Sequence, residues 1–199
     1  MGKTEITVEV FEDLQAITNK LSNLGFKQIE KYELNDWYYS NLSTNSKLGY
    51  SQLLKNSFLV RQVISDSEKI YLCYKDKEVD KNGKVLSEEK IKVPLNNLQD
   101  TLKIFNKANI NCWCSLKQTI YEFQKGSIEF SVQVVDDLGN FIEYEENETM
   151  KNLTTEQKME QMSSQLKSLG LKLGSDFSCK KVYAKYLKNL DIASKDLCI

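Results

Sequence analysis

Alternation of apolar and polar residues opens the chain. In 4–11, TEITVEVF, Ile6, Val8 and Val10 fall on one side and Glu5, Thr7 and Glu9 on the other, the period of a half-buried strand. Asp13 then offers a helix start. Leu14, Ile17, Leu21 and Leu24 recur at helical spacing until Gly25 ends the helix. The aromatic-rich run 26–39 predicts a return as strand, and the polar segment 41–56 a loop or short helix. Strands are expected over 58–64, 70–75 and 85–93, separated by turn-like Ser65-Asp66-Ser67 and Lys81-Asn82-Gly83-Lys84, with Pro94 closing the third.

A second helix over 95–107 turns Leu98, Leu102 and Phe105 inward and leads to a long strand over 112–123. Gly126-Ser127 marks a hairpin into QVVDDLGNFIEYE, Gln133 to Glu145, where two strand-like runs meet at an Asp-Asp-Leu-Gly corner. A third helix, 155–169, sets Met159, Met162, Leu166 and Leu169 on a core-facing stripe, and the chain closes with SCKKVYAKYLKN, 178–189. Strands outnumber helices and follow one another through short links, which favours an antiparallel α+β arrangement. No linker divides the 199 residues, so a single domain spanning 1–199 is expected.

Composition narrows the chemistry. There is no histidine, which removes His-based triads, His general bases and His-ligated zinc together. The five cysteines are odd in number and show no CxxC spacing, so they are expected as reduced thiols in a cytoplasmic protein, with Cys73, Cys112 and Cys114 on strands. A net charge of −1 argues against a broad nucleic-acid surface, and no run of about 18 apolar residues suggests a membrane span. No P-loop or GxGxxG is present.

Polar strand faces are the remaining lead. Glu143 and Glu145 are two residues apart and would point the same way, either as a solvated face or as half of a divalent-metal site. Arg61, Lys75, Lys90, Lys92 and Lys117 alternate on other strands. If the strands close into a barrel, these bases would meet Glu5, Glu9, Glu143 and Glu145 inside, a mixture suited to a phosphate chain carried with a metal ion.

The order of an acidic first strand, a helix ending in LSNLGFK, Asp36-Trp37-Tyr38-Tyr39, an Arg61 strand, a Lys75 strand and LGNFIEYE resembles the CYTH family of class IV adenylate cyclases, thiamine triphosphatases and inorganic triphosphatases. The closing KKVYAKYL is similar too. The resemblance implies an eight-stranded antiparallel β-barrel, a triphosphate tunnel with helices outside, and Mg²⁺ or Mn²⁺ as cofactor. Glu5, Glu143 and Glu145 would be metal ligands, and Arg61, Lys75, Lys90, Lys92, Lys117 and Lys181 substrate contacts. Glu5, Glu9 and Lys75 would take catalytic roles. The expected partner is a nucleotide or polyphosphate, with no nucleic acid or membrane, and a homodimer is the assembly considered.

Several positions depart from the family pattern. The ExExK signature of the first strand becomes Glu5, Thr7 and Glu9, so one carboxylate is lost and the lysine is an acid. Leu59 stands where a first basic residue is usual, Gln133 where Asp is usual, and Leu116 and Gln118 where bases are frequent. Hydrolysis or cyclisation of a triphosphate, sequestration of a nucleotide without turnover, and action on a partly cationic nucleotide are the three readings this leaves.

Overall fold

In the computed structural model the described residues are 3–42, 50–55, 57–79 and 85–196, with the side chains of 50, 51, 75–79, 85–90 and 191–196 left aside. Eight strands form one antiparallel sheet in the order β1-β8-β7-β6-β2-β3-β4-β5. Their ranges are β1 Glu5–Val10, β2 Lys27–Ser40, β3 Phe58–Ile64, β4 Glu68–Val79, β5 Val85–Leu95, β6 Asn111–Lys125, β7 Ile128–Val135 and β8 Gly139–Glu145. The helices are α1 Leu14–Asn23, α2 Tyr50–Lys55, α3 Leu98–Lys107, α4 Thr155–Ser168 and α5 Lys181–Asp196. Among the described residues the expected barrel is not closed: the sheet ends at β1 and β5. The outer edge of β1 is instead occupied by 172–179, through Phe11 N to Lys172 O (2.8 Å), Gly174 N to Glu9 O (2.8 Å), Thr7 N to Phe177 O (3.1 Å) and Cys179 N to Thr7 O (3.1 Å). An edge strand whose amides and carbonyls are satisfied in this way has little left to offer another strand.

The chain divides into two compact units, one of Lys3–Glu33 with Gln118–Lys180, the other of Met1–Gly2, Leu34–Lys117 and Lys181–Ile199. In the first, the apolar faces of β1, β6, β7 and β8 supply Ile6, Val8, Val10, Phe123, Phe130, Val132, Ile142 and Tyr144 to one core. Two helices complete it. Asp13 caps α1 by accepting from Ala16 N at 2.8 Å, and Ile17 and Leu21 are fully buried. Thr154 and Gln157 form a reciprocal capping box on α4, which buries Met162 and Leu166.

In the second unit, α2 buries Leu53 and Leu54, and α5 buries Val182 and Tyr186. Trp113 packs edge-on against Tyr186, and its Nε1 donates to Ser57 Oγ at 2.9 Å, which satisfies the one polar atom of a buried indole. The third predicted strand runs on through Pro94 to Leu95, which an edge strand tolerates, and α3 accordingly begins at Leu98. The second of the three strands is longer than its core pattern implied, extending to Glu68 and Val79. Cys73, Cys112, Cys114 and Cys179 are free thiols. No helix among the described residues is long and apolar enough to cross a membrane.

Candidate functional site

β1 pairs antiparallel with β8, and the register sets Glu5 opposite Glu145, Thr7 opposite Glu143 and Glu9 opposite Phe141. β7 continues the pattern, with Ser131 opposite Glu143 and Gln133 opposite Phe141, and β6 adds Glu122 opposite Ser131. Because alternate residues share a face, Glu5, Thr7, Glu9, Glu143, Glu145, Ser131, Gln133 and Glu122 line the side of the sheet turned away from the apolar core. Thr7, Ser131 and Gln133 are buried there although polar, and Gln133 Nε2 donates to Ser131 Oγ at 2.7 Å.

Like charges directly opposite on paired strands repel. Even so, one ligand atom each from Glu5, Glu143 and Glu145 lies within 4.8 Å of the others, Glu5 and Glu143 half-buried and Glu145 exposed. Lys3 Nζ approaches Glu145 Oε2 at 3.3 Å and offsets part of that charge, but it is itself exposed. Three hard carboxylate donors fit Mg²⁺ or Mn²⁺ by chemistry, and such a cation would relieve the repulsion directly. Glu9 stands two residues beyond Thr7 on this face, half-buried beside the Gly139 corner and the backbone at Gly174.

Two further residues of this unit escaped the sequence reading. Tyr32 Oη donates to Glu122 Oε1 at 2.8 Å. Burial pushes the Glu122 carboxyl up; the Tyr32 hydrogen bond opposes that, and Glu129, Glu143 and Glu30 add to it. Burial, with Glu122 beside it, also raises the Tyr32 hydroxyl. Alternation within β6 held the only signal for Glu122, since it shares a side with Gln118 and Ile120, but the partner strand decides what that side faces.

In the other unit, β3 and β4 set Arg61 opposite Tyr71 and Leu59 opposite Cys73, and β5 brings Lys92 opposite Cys73. Arg61 is held by Asp36 through Nε to Oδ1 (2.7 Å) and Nη2 to Oδ2 (2.6 Å), with Asp36 only 1 % exposed. A bidentate pair of this kind fixes the plane of the guanidinium. Lys92 Nζ lies 3.6 Å from the centroid of the Tyr71 ring. Lys75 and Lys90 are register partners, but their side chains lie outside the described residues.

Lys117 departs from expectation. On β6 it alternates with Gln118, Ile120 and Glu122, and the register carries the latter set, not Lys117, onto the carboxylate face. It is exposed. Lys181 begins α5 and is half-buried.

An eight-stranded antiparallel sheet with outer helices, carrying its chemistry on strand faces rather than at a glycine-rich loop, defines the class of protein. No protein-family model matches the chain. A Methanocaldococcus jannaschii protein described as a candidate adenylate cyclase is 25% identical over 172 residues, 86% of this chain and 91% of that protein. In fold, the chain resembles the PH1819 protein of Pyrococcus horikoshii (TM-score 0.65, 16% identity, 93% and 98% of the two chains). It also resembles a candidate adenylate cyclase of Vibrio parahaemolyticus (0.62, 14%, 94% and 99%). A third likeness is to a Hippeastrum protein described as a candidate adenylyl cyclase with a dominant triphosphatase activity (0.60, 11%, 94% and 96%). These likenesses support the resemblance to the CYTH, or triphosphate tunnel, superfamily that the sequence carries.

Proposed function

We propose that the chain acts on a nucleotide or other triphosphate with the help of a divalent cation, by hydrolysis or cyclisation. The observation that carries this reading is the convergence of Glu5, Glu143 and Glu145 on the polar face of β1 and β8. The relatives described as candidate cyclases, and the one described as a triphosphatase, support it. Mg²⁺ or Mn²⁺, when bound, would neutralise phosphate charge and polarise a phosphoryl oxygen. Action of the whole chain as one domain belongs to this proposal.

The chain's own residues have separable roles. Arg61, its plane held by Asp36, presents a fixed cation to a phosphoryl oxygen, and Lys92 a mobile one, with Lys75 and Lys90 following on the same paired strands. Lys181 is a further phosphate contact in the proposal, whereas Lys117 leaves the set because of its position on β6. Glu9 lowers the positive charge available to phosphate where the family signature has a lysine, and Thr7 leaves three carboxylates rather than four around the metal. Those two replacements favour a second reading, a nucleotide-binding protein with little turnover.

The test is calorimetry with Mn²⁺ followed by product analysis on ATP, tripolyphosphate and thiamine triphosphate. Wild type is expected to bind Mn²⁺, and the Glu143→Gln, Glu145→Gln double variant to lose that binding while keeping its circular dichroism spectrum. Equal Mn²⁺ affinity in the two proteins would remove the metal assignment. Binding of a triphosphate without product would select the non-catalytic reading.

A further inference from the structure

Tyr71 occupies an unusual position among the cations of its unit. It is the direct cross-strand partner of Arg61, so the two side chains stand side by side on one face of the sheet. Lys92, opposite the neighbouring Cys73, reaches diagonally and sets its ammonium 3.6 Å from the ring centroid. Cys73 and Leu59, the next pair along the same face, are fully or nearly fully buried, while Tyr71 is only half-buried and Lys92 is exposed. The ring thus stands between Arg61 and Pro94 on the paired strands, partly open, with the Lys92 ammonium over it.

We propose that Tyr71 is the stacking surface for the aromatic group of the ligand, a nucleobase carried on a phosphate chain, and that Lys92 occupies the ring until that ligand arrives. The inference rests on the triphosphate reading above and narrows it, from any polyphosphate to those bearing an aromatic group. Its physical basis is an exchange of partners. A cation over an exposed ring is held weakly, whereas an ammonium donating to phosphate makes a charge-assisted hydrogen bond, so an incoming phosphate draws Lys92 off the ring. The vacated face is flat and apolar, and every nucleobase presents a face that stacks on it. Arg61 does not take part in the exchange, because Asp36 already fixes its plane; it supplies the stationary charge beside the ring.

Calorimetric titration of ATP and of tripolyphosphate, each with Mn²⁺, into wild type, Tyr71→Leu and Tyr71→Phe separates the contributions. Tyr71→Leu is expected to weaken ATP about tenfold or more and to leave tripolyphosphate within about twofold, since only ATP has a base to stack. Tyr71→Phe keeps the ring and is expected to retain most of the ATP affinity, which also guards against a misfolded Leu variant. Equal weakening of both ligands by Tyr71→Leu overturns the inference, because the ring would then serve only to support Lys92 or Arg61. Unchanged ATP affinity overturns it as well, and in both cases the triphosphate reading stands. Failure of wild type to bind either ligand overturns that reading and this inference with it.

Discussion

Glu12 joins three segments through one residue. Its Oε1 accepts from Lys20 Nζ on α1 at 2.5 Å, its Oε2 from the Lys172 amide at 2.8 Å, and its carbonyl from Asn140 Nδ2 at the start of β8 at 2.7 Å. The Lys20 hydrogen bond, followed by the Lys172 amide, holds the carboxyl below its ordinary value of 4.5. A depressed acid contributes stability that is complete above the unfolded value and is lost as pH falls through the folded one. Glu12→Gln is therefore expected to lower stability by about 1 kcal/mol at pH 7, below the roughly 1.5–3 kcal/mol usual for hydrogen bonds to a charged group because solvent screens the half-exposed Lys20. The gap should narrow below pH 4.5, as urea denaturation across a pH series would read. A gap independent of pH would mean that packing, not charge, is the contribution.

Among the elements, the β7–β8 hairpin does most to position the carboxylates. Its loop is Asp136, Asp137 and Leu138, with Val135 and Gly139 as the closing pair and Leu138 N donating to Val135 O at 3.1 Å. Asp137 has φ 60° and Gly139 φ 127°. The first is tolerable for an aspartate; the second is a conformation in which a Cβ is strained. Gly139→Ala is expected to cost about 1–3 kcal/mol, and because Gly139 starts the strand that carries Glu143 and Glu145, Mn²⁺ affinity should fall along with thermal stability. A variant with native melting temperature and native Mn²⁺ affinity would show that the corner relaxes without strain. The β1 edge follows related logic: the 172–179 segment satisfies its backbone, so the acidic strand that carries Glu5 and Glu9 has hydrogen-bonded neighbours on both sides.

For the molecule as a whole, the division into two units makes ligand responses separable. The carboxylate trio belongs entirely to one unit, while Arg61, Tyr71 and Lys92 belong to the other. Mn²⁺ alone is expected to slow amide hydrogen exchange in β1 and β8 and to leave β3 and β4 unchanged. Adding ATP should then protect β3 and β4, because a ligand stabilises the segments it touches. Protection of β3 and β4 by Mn²⁺ alone would contradict this division of roles.

Local order was legible from residue spacing. Two-residue alternation put Ile6, Val8 and Val10 in the core and Glu5, Thr7 and Glu9 opposite them, and 3.6-residue spacing identified Ile17, Leu21, Met162 and Leu166 as buried. It likewise set Glu143 and Glu145 on one face. Those properties depend on backbone geometry over a few residues, which the side-chain pattern alone determines. What only the tertiary structure decided is which faces meet. The β1–β8 register brings Glu5 against Glu145 across the length of the chain, Asp36 finds Arg61, and Tyr32 finds Glu122. Residues 172–179, with no strand pattern of their own, took the edge of β1, where the sheet ends. Alternation states that a residue is on one side of its strand; the choice of partner and register, set by burial summed over the whole sheet, states what lies there.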